Sequence, residues 1–380
     1  KDIEWRCSSV SFPVRFMGLS LKNPILVASG PWSRDGASIQ RSIDAGAAAV
    51  CTETITLEAH ERICPRIFVE DDRLLNTTLY SNLLIEQWES ELETVKKGDS
   101  KLICSIWGSS ASELAYLASR VERMGADAIE ISISAPIGCR NQHIASHTPD
   151  IEAFVGAVVK TVHIPVMVKL SYEAAASPDF LRSIQSAGVA AVSAIDALRG
   201  LCGVDIETQR TKMETFGGYS GDCIRPASLA ATAAIRQYSP LEICSTGGIS
   251  SAKNALEFLM LGATCVQLAS VIQLHGYQVI TDVLNDLETW MRGHGYSDIE
   301  EIRGAALAGL HPYEDINPRP LRASMTEDCC DACSLCADSC LYHAISRAPD
   351  GRIVLTPSNC SGCGLCAERC PKQLFRLVWY

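Results

Sequence analysis

The stretch MGADAIEISIS, residues 124–134, decides the fold. Met124-Gly125-Ala126 closes a helix-like segment with small residues, and the chain then enters a run in which Ile129, Ile131 and Ile133 alternate with Glu130, Ser132 and Ser134. A glycine is a helix stop, and alternation at period two is a strand signal. The same hinge recurs in DAGAAAV (44–50), SAGVAAV (186–192) and LGATCVQ (261–267). Short apolar runs fall at 24–30, 48–56, 101–108, 128–134, 166–171, 190–196, 242–248 and 265–270, with helix-like segments between them. Eight alternating β and α units over about this length read as a (β/α)8 TIM barrel, whose active site lies at the C-terminal ends of the strands. A doubly wound open sheet competes. Near-even repeats and the lack of a strand-linked G-x-G-x-x-G favour closure. About 45 residues separate the second and third strands, and again the sixth and seventh, so both loops are expected to fold over the barrel mouth as small hairpins or lids.

The chain has 380 residues, 47% hydrophobic and 20% charged, with a net charge of −11. This is ordinary for a globular enzyme, and the acidic balance argues against nucleic acid or an anionic membrane as partner. No apolar run reaches the roughly 18 to 20 residues of a membrane span, and the first residues lack a signal-peptide build, so a cytoplasmic protein is expected.

Of 18 cysteines, nine are scattered through the first 300 residues and nine crowd into Cys329 to Cys370. The scattered ones read as reduced thiols. Eight of the crowded ones, all but Cys329, follow C-x2-C-x2-C-x3-C twice, through Cys330, Cys333, Cys336 and Cys340, then Cys360, Cys363, Cys366 and Cys370. In the bacterial ferredoxin run, three cysteines hold one cubane and the fourth reaches the other. This assigns Cys330, Cys333, Cys336 and Cys370 to one [4Fe-4S] cluster, and Cys360, Cys363, Cys366 and Cys340 to a second. A zinc ribbon is the competing reading, disfavoured by the duplicated spacing. The domains are thus expected at 1–310 for the barrel, 311–324 for a proline-bearing linker and 325–380 for a 2[4Fe-4S] ferredoxin-like domain.

The last two barrel strands end in Thr246-Gly247-Gly248 and Ala269-Ser270, turns of the kind that present backbone N–H groups to a phosphate. Lys169 ends the fifth strand as a cation aimed into the mouth. A phosphate anchor beside iron–sulfur clusters points to flavin mononucleotide (FMN), which exchanges single electrons and hydride.

The chain resembles the dihydroorotate and dihydropyrimidine dehydrogenase flavoproteins, and most of all the bacterial dihydropyrimidine dehydrogenase subunit with FMN and two [4Fe-4S] clusters. The motifs that carry the likeness are NPILVASG (23–30), PVMVKL (165–170), FGGYSGDCIRP (216–226), STGGIS (245–250), GATCVQLAS (262–270) and both cysteine runs. The resemblance implies that Ala28, Ser29 and Gly30 pack on the flavin and that Lys169 contacts its pyrimidine side. It also implies that Ser220, Gly221, Gly247, Gly248, Ala269 and Ser270 hold the flavin and its phosphate, and that the chain forms homodimers.

The substrate side departs from the family. Its loop Asn-x-Ser-Cys-Pro, with a cysteine as acid or base, reads here Ser132-Ile133-Ser134-Ala135-Pro136. The second strand's Thr-Lys becomes Thr52-Glu53, and the sixth strand's Asn-Thr becomes Asp196-Ala197. Alanine cannot move a proton. The remaining candidates near the substrate are Cys139, Ser134, His143 and His147 on the loop, with Glu53 and Asp196. Glu53 could instead pair with Lys169 or a nearby arginine, and Asp196 could cap the following loop. A mouth that loses a cation and gains carboxylates is expected to prefer a neutral or cationic ligand.

The leading expectation is an FMN and iron–sulfur oxidoreductase acting on an activated C=C or C=N bond of a small cyclic substrate. Its electrons would come from a separate FAD/NAD(P)H reductase subunit or a soluble ferredoxin. The alternatives are a dihydropyrimidine dehydrogenase subunit acting on uracil or thymine, and a non-catalytic electron-transfer subunit.

Overall fold

The structure, a computed structural model, describes residues 12–133, 148–326, 330 and 333–379. The chain divides into two compact units, one running through Gly309 and the other starting at Leu310.

The first unit is a closed parallel barrel. Its strands are β1 Ile25–Val27, β2 Ala49–Cys51, β3 Lys101–Ile106, β4 Ala128–Ser132, β5 Val166–Leu170, β6 Ala191–Ala194, β7 Glu242–Thr246 and β8 Cys265–Leu268. Each pairs with its neighbours in sequence, and β8 closes on β1 through Val266↔Ile25 and Leu268↔Val27. The helices that follow are α1 Gly36–Asp44, α2 Ile85–Glu93, α3 Ala111–Arg123, α4 Thr148–Thr161, α5 Pro178–Ser186, α6 Arg225–Tyr238, α7 Ala252–Met260 and α8 Gln278–Gly293. No helix among the described residues is long and apolar enough to cross a membrane.

The opening stretch shows how one unit is built. In α3, Ser110 caps the start by accepting from the Glu113 N–H, and Leu114, Leu117, Ala118 and Val121 form the buried stripe. Met124 ends the helix, and Gly125 turns the chain at φ 88°. The other three hinge glycines, Gly46, Gly188 and Gly262, also have positive φ, at 107°, 92° and 97°. That backbone is cheap only for glycine, so the repeated hinge is a repeated turn. Beyond it, Ile129 and Ile131 of β4 are buried, while the Glu130 carboxylate accepts from Ser193 Oγ of β6 (2.7 Å) and Gln267 Nε2 of β8 (3.4 Å). Three alternate strands thus contribute one buried layer, as an eight-stranded barrel requires. The alternation read from the sequence is two buried faces, the polar one pointing inward.

The two long insertions combine. The strands Ile67–Glu70 and Arg73–Asn76, after β2, join Leu198–Gly200 and Gly217–Gly221, after β6, in a single four-stranded antiparallel sheet.

The second unit contains two antiparallel pairs, Leu321–Met325 with Phe375–Trp379 and Ile345–Arg347 with Ile353–Leu355, and two short helices, Leu335–Asp338 and Leu365–Arg369. Leu321–Met325 falls largely within the stretch expected as linker. It forms a strand because residues at the far end of the chain supply its partner.

Candidate functional site

Seven strands, all except β3, send residues from their C-terminal ends into one cavity enclosing about 1100 Å³, its open mouth included. Of the residues anticipated from sequence, Ser29, Gly30, Glu53, Lys169, Asp196, Ser220, Gly247, Gly248, Ala269 and Ser270 line it. Gly221 borders an adjoining hollow that also touches Gly248 and Ser270. Two are set back from the wall. The Ala28 carbonyl accepts from Trp32 Nε1 (2.6 Å), and Thr52 Oγ1 accepts from the Ser105 N–H (3.1 Å). Ser134, Ala135, Cys139, His143 and His147 lie outside the described residues.

Lys169, on β5, is buried, with its Nζ donating to Ser29 Oγ at 3.1 Å and lying 3.7 Å from Asp196 Oδ1. Burial pulls the ammonium down, but Asp196, Glu130 and Cys51 outweigh it and hold the group above the ordinary lysine value. Lys169 is therefore a fixed cation. Asp196 Oδ1 also accepts from the Ala197 N–H at 2.9 Å, which starts the loop after β6.

Glu53 pairs with Arg62, whose Nη2 donates to both carboxylate oxygens at 2.7 and 3.0 Å. The Glu53 side chain is 3% exposed. Burial pushes its carboxyl up to about 7, against the pull of Arg62, Arg34 and Arg66. Both wall carboxylates thus have a cationic partner, so of the neutral or cationic ligand expected from the sequence the neutral one is the better match. A nearby arginine was one of the partners left open for Glu53 by the sequence, and the fold of the insertion after β2 makes it Arg62.

After β7, Gly247 and Gly248 adopt φ 108° and 79°. A Cβ on Gly248 would lie 2.5 Å from Arg225 Cβ and 2.8 Å from Arg225 Cα, and one on Gly247 would strike Ser228 Oγ. The turn lies flat on the first turns of α6 and leaves its outer side to the cavity, a cradle that only glycine can form. Ser270 opens a short helix, Ser270–His275, on the adjacent strand end.

The segment Asn76 to Tyr80, read from sequence only as part of a lid, also lines the cavity. Among the described residues Thr78 Oγ1 is buried there without a hydrogen-bond partner, a polar atom that a bound ligand could satisfy. Its signal was the polar run NTTLYSN directly after RLL, which matches no general motif.

In the second unit, Cys330, Cys333, Cys336 and Cys370 line one hollow, and Cys336, Cys340, Cys360, Cys363 and Cys366 line another. The halves repeat at an interval of 30 residues. Ser334 and Gly364 have φ 54° and 84° before each short helix, and His343 and Gln373 have φ 51° and 53° after it. Backbone N–H groups point at sulfur: Ala323 N to Cys360 Sγ (3.3 Å), Gly362 N to Cys360 Sγ (3.4 Å) and Leu374 N to Cys370 Sγ (3.4 Å). The Cys340 thiol is pushed up by burial, but N–H donors from Tyr342, Ile345, Ala344 and His343 bring it below the usual value. This donor set suits thiolate ligands. Among the described residues, no group of three His, Cys, Asp or Glu side chains forms a site for a metal ion.

The Dihydroorotate dehydrogenase family model matches residues 11–291. The Dihydroorotate dehydrogenase B (NAD(+)) catalytic subunit of Methanocaldococcus jannaschii is 30% identical over 298 residues, covering 76% of this chain and 96% of the relative. That of Thermoplasma volcanium is 28% identical over 293 residues, with 76% and 96% covered. The chloroplastic dihydropyrimidine dehydrogenase (NADP(+)) of Arabidopsis thaliana is 27% identical over 349 residues, covering 83% of this chain and 82% of the relative. The matched region contains every strand of the barrel and the wall residues of its mouth, and the chain belongs to the dihydroorotate dehydrogenase family.

Proposed function

We propose that this chain is an FMN-dependent oxidoreductase that reduces, or in reverse oxidises, an activated C=C or C=N bond of a small, uncharged, cyclic substrate. Two [4Fe-4S] clusters in a ferredoxin-like C-terminal unit would carry its electrons. One observation carries the reading: the buried ammonium of Lys169 donates to Ser29 in a cavity that the Gly247–Gly248 cradle also lines. Those residues fit a flavin with its phosphate on the glycine turn and Ala269–Ser270, and its ring beside Ser29, Gly30 and Lys169. When bound, FMN supplies hydride transfer and one-electron exchange. The chain's own part is to bind and orient. Lys169 offers a fixed positive charge, Asp196 and Glu130 keep it protonated, and the four-stranded lid narrows the mouth over the reacting groups.

The two cysteine hollows, with their 30-residue repeat and N–H to sulfur bonds, support cluster ligation by Cys330, Cys333, Cys336 and Cys370 and by Cys340, Cys360, Cys363 and Cys366. The electron partner would then be a separate FAD/NAD(P)H reductase subunit or a soluble ferredoxin, and a homodimer remains part of the proposal. Matching of both wall carboxylates to cations is what favours an uncharged ring. A pyrimidine substrate such as uracil or thymine is the second reading, favoured by the longer match to the plant dihydropyrimidine dehydrogenase.

The test is anaerobic photoreduction of the bound flavin, followed by addition of uracil, thymine, orotate and a panel of cyclic enones and imines. Reoxidation by an uncharged ring supports the proposal. Reoxidation by orotate alone overturns the substrate class, and a protein that binds no flavin overturns the proposal itself.

A further inference from the structure

Three acidic or basic side chains reach the cavity wall among the described residues: Glu53, Lys169 and Asp196. Lys169 is held as a cation, and Asp196 is tied to it at 3.7 Å while remaining 27% exposed. Neither is arranged to give up and regain a proton. Glu53 is different. Its side chain is 3% exposed, and its backbone is fixed by the Glu53 N–H donating to the Ser33 carbonyl at 2.9 Å. Among the described residues its single partner atom is Arg62 Nη2, which spans both carboxylate oxygens. The Arg62 Nε is buried without a partner among the described residues, so the pair is not the two-nitrogen fork that locks a carboxylate in its ionised form. Arg34 and Arg66 add positive charge from neighbouring segments.

We propose that Glu53 is the proton-transfer residue of the barrel mouth, with Arg62 as its positioning residue. This rests on the proposed oxidoreductase function. In the reducing direction a bound flavin would supply the electron pair as hydride to one carbon of the polarised double bond. The proton of the Glu53 carboxyl goes to the other atom, two new bonds to hydrogen replace the π bond, and Glu53 is left as the carboxylate that Arg62 stabilises. Solvent returns the proton. A group buried this way titrates near neutral pH, where it can work in both directions. The sign is that of an acid: reduction proceeds at full rate below about pH 7 and falls tenfold per pH unit above it.

The test uses the full chain and needs no knowledge of the substrate. Infrared difference spectra of the flavin-free protein between pH 5.5 and 8.5 should contain a buried carboxyl band that titrates near 7. Glu53→Gln should lose it, and Arg62→Gln should move its midpoint upward by a pH unit or more. In the flavin-loaded protein, the midpoint potential of FMN should change its pH slope near the same pH in the wild type, lose that change in Glu53→Gln and retain it in Cys139→Ala. A band that survives Glu53→Gln, or a potential with the same pH dependence in wild type and Glu53→Gln, overturns the assignment. Failure to bind FMN would instead overturn the proposed function, while the band in the flavin-free protein still decides where Glu53 titrates.

Discussion

Replacing Gly248 by alanine should damage the barrel mouth by a calculable amount. At φ 79° an alanine costs about 1 to 2 kcal/mol in backbone conformation alone. Its Cβ would sit 2.5 Å from Arg225 Cβ and 2.8 Å from Arg225 Cα and N. These atoms belong to the first residue of a packed 14-residue helix and cannot swing aside as a side-chain tip would. Overpacking of this kind costs about 1 to 3 kcal/mol, so the total is about 2 to 5 kcal/mol. Gly276 is the control, because it has nearly the same φ, 82°, and nothing within 4 Å of its would-be Cβ. Gly276→Ala should therefore lose only the backbone part. The assay is urea unfolding of each full-length variant by tryptophan fluorescence, compared at equal m, together with flavin affinity. Gly248→Ala should unfold at clearly lower urea than Gly276→Ala and bind FMN at least tenfold more weakly. Equal midpoints for the two variants would refute the tight packing of the turn on α6, and unchanged flavin affinity would refute its use as the phosphate cradle.

Removing the buried cation by Lys169→Met should make the flavin midpoint potential more negative by about 20 to 90 mV, equivalent to ~1 to 4 kcal/mol for a two-electron couple; spectroelectrochemistry reads it, and a positive shift would contradict the role of Lys169. Glu53 has a folded value of about 7, raised above its unfolded 4.5, so it holds a proton in the folded protein that it has lost in the unfolded one. Its contribution to stability is then lost as pH rises through that window, and the stability of wild type relative to Glu53→Gln should fall by about 2 to 3 kcal/mol between pH 5 and 8. A flat difference in denaturation midpoints would exclude the buried carboxyl. Cys363→Ala should cut iron content from about eight to about four atoms per chain by elemental analysis, whereas alanine at the exposed Cys223 should leave it unchanged.

The barrel was legible because its signal is local and repeated. A glycine hinge and the apolar run after it are adjacent in sequence, and Gly46, Gly125, Gly188 and Gly262 all take the left-handed backbone that such a hinge requires. The mouth residues on strand ends were legible for the same reason, since position at the end of a strand fixes position at the mouth. The lid was not. Arg73–Asn76 pairs with Gly217–Gly221, and no local pattern announces a partner so far along the chain. The electrostatics were likewise hidden. Glu53 read as a charge reversal that could face the ligand or pair with Lys169 or a nearby arginine, and only the fold of the insertion selects Arg62 and buries the pair. Glu130 was legible only as one position of an alternating strand, because a barrel interior lined by partnered polar groups has the same alternation as a surface strand.

The flavin, iron, sulfide and zinc content of the anaerobically purified full-length protein tests the central proposal most directly. About one FMN, eight iron and eight acid-labile sulfide per chain are expected. Protein free of flavin, or carrying zinc in place of iron, would contradict it.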